Sequence, residues 1–237
     1  MKNAVPNEFN PPWWYSFFFS SYLSRRALYK SLKENSHHVE GVTLDFGCGS
    51  KPYESIFNAE KYIGVDIQSS GHDHASSKVD DFYDGNSLPY PDESFNSIFS
   101  SEVFEHVSNI DEMILELNRV LKDGGKMLIT IPFAIHEHEI PYDFRRFTTF
   151  GIENILNKNG FEIEKIEPSN HYLEAIFQLL IWYFTLSFKS KNKITTFFKT
   201  ALFIMPLNFL AIVLPSLLPR NNSFYSNLTI LAKKKDK

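Results

Sequence analysis

An α/β fold with a mainly parallel, doubly wound sheet is predicted by three features of the chain. Between residues 42 and 167, short β-prone runs alternate with apolar patterns of helical period. Asp45-Phe-Gly-Cys-Gly-Ser50 follows the apolar positions Val42 and Leu44, and Asp66 closes the next apolar run, Tyr62-Ile-Gly-Val-Asp66. A strand, a glycine-rich turn and a second strand ending in an acid describe a nucleoside-binding βαβ unit. Glycines let the backbone approach a ligand where a Cβ would collide, and the acid about 20 residues on can accept ribose hydroxyl protons. The expected ligand is an adenosine-containing cofactor.

Each element follows in order. Residues 9–38 are aromatic-rich (Phe9, Trp13, Trp14, Tyr15, Phe17 to Phe19, Tyr22), then helical in pattern through Leu23, Ala27, Leu28 and Leu32. The first strand is Val42–Asp45, and a short helix is expected from Pro52 to Asn58, with proline suited to a first turn. The second strand is Tyr62–Asp66. Residues 68–78 are too polar and glycine/serine-rich for a helix, so a loop is expected there. The third strand lies near Val79–Tyr83 and the fourth near Phe95–Ser100. Ser108-Asn-Ile-Asp111 resembles a capping box, and Ile110, Met113, Ile114, Leu117, Val120 and Leu121 share one helical face behind it. Gly124 and Gly125 are expected to stop that helix before the fifth strand, Lys126–Pro132. A helix over Thr149–Asn157, ended by Gly160, leads to a sixth strand, Phe161–Glu167. Ile176–Phe188 and Ala201–Leu218 are strongly apolar, joined by Lys189, Lys191, Lys193 and Lys199. Asn227–Ala232 reads as one more strand before a lysine tail. The organisation expected is a helical arm (1–40), a cofactor-binding core (41–168), an apolar helical insertion (169–223) and a last strand with a basic tail (224–237).

Composition bounds the function. The 237 residues are 43% hydrophobic and include 23 phenylalanines, ample for a core with apolar surface to spare. A net charge of −4 gives no footprint for nucleic acid, which must be met by neutralising phosphates. The single cysteine, Cys48, forms no intrachain disulfide and suits a reducing compartment. Met1 to Asn10 is polar and carries Pro6, so no secretory signal is expected. A nicotinamide dehydrogenase is disfavoured because its third glycine, needed over a pyrophosphate, would stand where Pro52 is.

These motifs resemble those of class I S-adenosylmethionine-dependent methyltransferases of the type 11 group. Besides Asp45-Phe-Gly-Cys-Gly49, the resemblance rests on Asp84-Gly-Asn-Ser-Leu-Pro-Tyr-Pro-Asp-Glu-Ser-Phe95, Glu102-Val-Phe-Glu-His-Val107 and Leu121-Lys-Asp-Gly-Gly125, in that order. It covers residues 40–168 and the final strand. The resemblance implies a seven-stranded Rossmann-like sheet whose last strand is antiparallel, with S-adenosylmethionine as cofactor. It places Gly47, Cys48 and Gly49 along the methionine part, with Asp45 holding the turn. Asp66 would bind the ribose hydroxyls, Ile67 would pack on adenine, and Asp84 with Gly85 would meet its amino group. Ser101 and Glu102 would lie near the methyl-bearing sulfur. Two departures stand out: Lys51 occupies the third glycine position of the family's Gly-x-Gly-x-Gly, and Asn96 replaces an acid.

The acceptor side is read from the loops beyond the fourth and fifth strands. His106 follows the fourth, and Ile135-His-Glu-His-Glu-Ile-Pro-Tyr-Asp-Phe-Arg-Arg-Phe-Thr148 follows the fifth. Similar His/Glu-Pro-x-Asp-Phe-x-Arg stretches shape the acceptor pocket in type 11 relatives. His138 and His106 are the candidate general bases, because an imidazole titrates near working pH. His136, Arg145 and Arg146 are candidate acceptor-binding residues, a guanidinium being able to grip an anion bidentately. The alternating histidines and acids also invite a metal, but no second cluster completes the pattern in the sequence, so no metal site is expected. The expected function is methyl transfer to a small-molecule, glycan or lipid-linked acceptor. The alternative is a non-catalytic cofactor-binding scaffold or sensor at the membrane. For residues 176–218 a bilayer span, an interfacial attachment and an apolar cap or dimer face compete. Peripheral attachment to the inner face of the membrane, in a cytoplasmic protein, is preferred because lysines flank the segment and a strand must return to the sheet.

Overall fold

The computed structural model describes residues 4–68, 77–190 and 192–236. The loop expected over 68–78 therefore lies almost wholly outside the described residues. Two compact units emerge, one of residues 1–5, 32–167 and 228–237, the other of residues 6–31 and 168–227.

The first unit is built on a seven-stranded mixed sheet of order β3-β2-β1-β4-β5-β7-β6. Its strands are β1 (Glu40–Phe46), β2 (Asn58–Ile67), β3 (Asp81–Tyr83), β4 (Phe95–Ser101), β5 (Leu121–Pro132), β6 (Phe161–Pro168) and β7 (Asn227–Lys234). The four pairings from β3 to β5 are all parallel, which aligns the carboxyl ends of β1, β2 and β4 along one rim. Strand order reverses beside β1, where β2 lies on one side and β4 on the other, so a crevice for a ligand is set at that rim. The core is Leu44, Phe46, Val65, Ile98, Met127, Leu128, Ile129 and Ile230, all essentially inaccessible.

Numbering helices along the chain, α1 is Tyr22–Asn35, α2 is Ile110–Val120 and α3 is Thr149–Lys158. The predicted face of α2 is the buried one, Ile110, Met113, Ile114, Leu117 and Val120. Its start differs from the expected capping box. Asn109 is the N-cap without a side-chain cap bond, and its amide instead donates to Gly85 O at 3.1 Å, tying the helix to the loop after β3. Its end also comes earlier than the glycines. Leu121 is already extended and pairs with Phe95, while Ser97 pairs with Lys126. The intervening residues Lys122–Gly125 bulge within β5, and Gly124 takes the left-handed φ of +67° which that bend requires. The helix expected at 52–58 is a single 3-10 turn, Glu54–Ile56. β2 begins at Asn58 to pair with Glu40, which leaves too few residues for two helical turns. Thr148 caps α3 by accepting from Gly151 N at 3.1 Å, and Gly160 follows at φ +87°.

The second unit holds the aromatic arm and the apolar insertion together. Its helices are α4 (Tyr172–Ser187), α5 (Lys193–Lys199) and α6 (Met205–Leu217), the last two joined through a π turn at Thr200–Ile204. Tyr22, Leu23, Ile181, Ile204 and Ala211 form its core, with Tyr15, Phe19 and Phe177 packed against it. Two buried amides fix the arm: Gln178 Nε2 donates to Ser20 O at 2.7 Å, and Asn208 Nδ2 donates to Ser16 O at 2.9 Å. Much of the rest faces outward, including Ile194, Phe197, Leu202, Phe209 and Leu217, each more than 60% exposed.

Candidate active site at the carboxyl ends of the strands

The glycine turn is held by the neighbouring strand. Gly47 N and Cys48 N both donate to Val65 O, at 2.9 and 3.2 Å. Asp66 accepts from Gly49 N at 3.0 Å through one oxygen and from Ile67 N at 2.8 Å through the other. Each oxygen keeps a further lone pair, so a carboxylate that shapes the turn can still accept from a diol. The two glycines differ in what they permit. Gly47, at φ +72°, would place a Cβ 2.4 Å from Val103 Cγ2, whereas Gly49, at φ +48°, has nothing within 4 Å on that side. Gly47 is required by the protein's own packing. Gly49 opens onto space, a cradle that fits a ligand pressed against the backbone.

Around this turn the structure brings several predicted residues together. Asp45 is buried beneath it and accepts from Tyr62 Oη at 2.9 Å. Burial pushes its carboxyl up to about 7, with the tyrosine bond acting the other way. Cys48 is buried too, and desolvation pushes its thiol up, which removes thiolate reactivity. Ile67 lies 3.3 Å from where a Cβ on Gly85 would be, so the two residues expected to flank a base are neighbours. Asp84 is exposed and accepts from Asn86 N and Ser87 N at 2.8 and 2.9 Å, bonds that hold its carboxyl below the usual range. Ser101 shares a hydrogen bond with Thr130 at 2.9 Å, and Glu102 has a left-handed φ of +57° as the chain leaves β4. Lys51 takes the same kind of backbone, φ +54°, and its ammonium pairs with Asp80, which also accepts from Gly64 N at 2.6 Å.

Of the residues expected on the acceptor side, His106 and His138 converge on Glu105, fully buried on the short 3-10 turn Phe104–His106. His106 Nε2 lies 3.5 Å from Glu105 Oε1 and 3.5 Å from Glu139 Oε1. His138 Nε2 lies 3.9 Å from Glu105 Oε1, and the two imidazoles meet edge to face at 4.9 Å. The loop beyond β5 is pinned to the loop beyond β4 by Phe144 N donating to Glu105 O at 2.9 Å. Burial pushes the Glu105 carboxyl well up, assisted by the charge of Glu102. Desolvation lowers His138 and His136, so both imidazoles are neutral at pH 7.

The two arginines face the protein. Arg145 donates to Val107 O and Ser108 O at 3.1 and 2.9 Å, clamping the loop after β4. Arg146 grips Asp143 bidentately, at 2.5 and 2.7 Å, and Asp143 in turn accepts from His138 N at 3.0 Å. Burial opposes ionisation of Asp143, but the guanidinium and that amide outweigh it and hold the carboxyl at about 2. Tyr62, Asp80 and Thr130 went unmarked in the sequence, since each acts through a partner distant along the chain. Glu105 had a nearer signal, its place in the Glu102-Val-Phe-Glu-His motif. An open cleft of about 750 Å³ also lies at the opposite, amino-terminal ends of the strands, against Glu40, Asn58, Asn96 and Lys122. It is lined by His37 and His38 but contains neither the glycine turn nor His106, His136 or His138.

Residues 44–129 match the family model for a methyltransferase domain of type 11, from β1 to the middle of β5. The chain is 26% identical over 144 residues to a sterol 24-C-methyltransferase of Pneumocystis carinii, covering 52% of this chain and 38% of that protein. It is 36% identical over 89 residues to a ubiquinone/menaquinone biosynthesis C-methyltransferase of Shewanella sp. (strain W3-18-1), covering 36% of this chain and 33% of that one. The chain thus spans well under two thirds of the length of these curated relatives. In fold it is similar to a Haemonchus contortus phosphoethanolamine N-methyltransferase solved with S-adenosylhomocysteine, with a TM-score of 0.53, 18% identity, and coverage of 90% of this chain and 52% of that one. The motifs, the sheet order and the matched segment converge: residues 44–129 are similar to the methyltransferase domain of the type 11 group, a family whose cofactor is S-adenosylmethionine.

Proposed function

We propose that this chain methylates a lipophilic or lipid-linked small molecule at a membrane surface, using S-adenosylmethionine. The observation that carries the cofactor half is the pair formed by Gly49, open on its Cβ side, and Asp66, whose carboxylate faces the same turn. In this reading Gly47, Cys48 and Gly49 line the methionine part above Asp45, Asp66 holds the ribose, and Ile67 and Gly85 flank the adenine with Asp84 nearby. Ser101 and Glu102 stand at the end of β4, towards the transfer site. The cofactor supplies a methyl group already activated by its sulfonium charge. The protein's own work is alignment of the acceptor and exclusion of water, which can supply most of the rate enhancement for such a displacement. A hydroxyl acceptor must also lose a proton, and the imidazoles of His138 and His106 stand where the loops after β4 and β5 meet.

The acceptor class is supported from two sides. The sterol and quinone methyltransferases among the relatives are named for lipophilic acceptors. The run Lys193–Leu217, 25 residues of mean hydropathy 2.0 with little of it buried, is the one helix among the described residues long and apolar enough to cross a membrane. Crossing is disfavoured by topology. β6 and β7, which flank the insertion in the chain, are neighbours in one sheet, so an even number of crossings is required. The partner helix α4 has 16 residues and rises about 24 Å, short of a bilayer core of about 30 Å. Interfacial attachment fits both facts, with Lys193 and the neighbouring basic residues meeting anionic headgroups. The test is incubation with S-adenosylmethionine radiolabelled in its methyl group and a membrane extract. Label is expected in an organic-extractable product, and label confined to water-soluble or protein fractions would refute the lipophilic acceptor.

A further inference from the structure

We propose that Glu105, His106 and His138 form a binding site for a divalent first-row transition-metal ion, held by both histidine Nε2 atoms and the buried carboxylate. One donor atom from each of the three residues lies within 4.8 Å of the others. The separations to Glu105 Oε1, 3.5 Å from His106 and 3.9 Å from His138, lie within about 0.6 Å of the roughly 3.3 Å spacing that metal–ligand bonds of about 2.0–2.1 Å impose around a tetrahedral ion.

Proton accounting sharpens the inference. His106 Nδ1 lies 3.0 Å from Tyr142 O, and His138 Nδ1 lies 3.3 Å from His136 O and 3.2 Å from Asp143 Oδ2. Acceptors on that side place a ring hydrogen on Nδ1 of each imidazole and leave Nε2 free to ligate. Both Nε2 atoms then stand 3.5 and 3.9 Å from the same Glu105 oxygen. Both Glu105 oxygens and His106 Nε2 are buried and make no hydrogen bond among the described residues. Lone pairs gathered around one spot away from water are mutually repulsive, and each unsatisfied group costs about 1–3 kcal/mol. A cation between them satisfies all three at once. The Tyr142 carbonyl and the Asp143 carboxylate are then the outer contacts that fix the tautomer and orientation of metal-bound histidines.

Two nitrogens and one carboxylate suit zinc, manganese or iron(II), and three protein ligands leave a coordination position open. Val103, which packs on Gly47, is two residues from Glu105, so the site adjoins the glycine turn. Ion binding itself does not depend on the methyl-transfer reading. Its consequence does: an acceptor hydroxyl bound at the open position would be more acidic and lose its proton to solvent, the histidines serving as ligands in place of bases.

The test is calorimetric titration of the full chain, stripped with chelator, with zinc chloride and separately with manganese chloride, alongside the cobalt(II) visible spectrum. One equivalent of at least one ion is expected, with ligand-field bands from cobalt. Glu105→Gln and His138→Ala should each weaken binding at least tenfold, while His37→Ala should not. Thermal unfolding and S-adenosylhomocysteine binding, measured on each variant, show whether it folds and whether the cofactor reading stands by itself. A folded wild-type chain that takes up no ion, or one whose uptake survives both substitutions, overturns the site and leaves protons as the charges that hold the cluster.

Discussion

Replacing Tyr62 by phenylalanine removes the hydroxyl that donates to the buried Asp45 carboxyl at 2.9 Å, and the cost should depend on pH. Burial raises Asp45 to about 7, against an ordinary value of 3.8. The unfolded chain therefore releases this proton near pH 4, while the folded chain holds it to about pH 7. Between those values the folded state binds more protons, so stability falls as pH rises, by up to about 1.4 kcal/mol per unit and about 4 kcal/mol over the window. The penalty is absent below pH 4 and complete above pH 7. Asp45→Asn cannot ionise and should lose this fall, gaining on wild type as pH climbs from 5 to 8. In Tyr62→Phe at pH 5 a neutral hydrogen bond is lost, worth about 1 kcal/mol, whereas at pH 8 a buried carboxylate loses a charge-assisted bond worth about 1.5–3 kcal/mol. Urea unfolding of the three proteins at pH 5, 6, 7 and 8 gives the differences directly. Equal costs for Tyr62→Phe at the two extremes, or an Asp45→Asn curve parallel to wild type, would refute the argument.

Gly47→Ala and Gly49→Ala should separate packing from binding. The first drives a Cβ into Val103 and is expected to lower the thermal midpoint by several degrees, with partial recovery in the Gly47→Ala/Val103→Ala pair. The second meets open space, so stability should fall by only about 1–2 kcal/mol from the left-handed backbone, while S-adenosylhomocysteine affinity in calorimetry falls at least tenfold. Lys51→Ala keeps the left-handed backbone and loses the pair with Asp80, whereas Lys51→Gly loses the pair but relieves the backbone. Glycine should therefore be the more stable of the two by about 1 kcal/mol in urea unfolding. Leu202→Lys combined with Phe209→Lys places charges on two outward-facing positions of the apolar helix. Co-sedimentation with anionic liposomes should drop several-fold, and unchanged sedimentation would remove that helix from the interface.

The parts of this fold legible in the sequence are those written in local pattern. The α2 face was readable because Ile110, Met113, Ile114, Leu117 and Val120 repeat at helical spacing, and all five are buried. The strand positions were readable for the same reason, but their ends were not. β2 begins four residues before the apolar run because Asn58 and Ala59 pair with Glu40 and Gly41, a partnership that no property of Asn58 announces. The α2 cap failed for a similar cause, Asn109 being drawn to Gly85 across the loop. At the site, glycines and acids could be named by motif, while Tyr62 and Thr130 act only through residues brought near by the sheet, Asp45 and Ser101. His138 lacked a completing cluster in its own segment. The fold brings Glu105 and His106 to it from the loop after β4, more than 30 residues away in the chain, and leaves His136 out.

Lys51 shows why a departure from a family pattern need not break the site it belongs to. A third glycine would adopt φ +54° freely, whereas a lysine there carries strain of about 1–2 kcal/mol. Its side chain is nearly buried, and its Cε fills the place that a Cβ on Gly64 would occupy, 2.3 Å away. Gly64 thus leaves room for both Lys51 and Cys48, whose Cβ lies 2.9 Å from the same place. The ammonium pairs with Asp80, which the Gly64 amide also holds, so the left-handed backbone, the missing side chain on β2 and the acid before β3 form one coupled arrangement. A double-mutant cycle between Lys51 and Asp80 should give a coupling above the range of about 0–1 kcal/mol typical of surface pairs. A coupling near zero would mean that the strain at Lys51 is offset elsewhere.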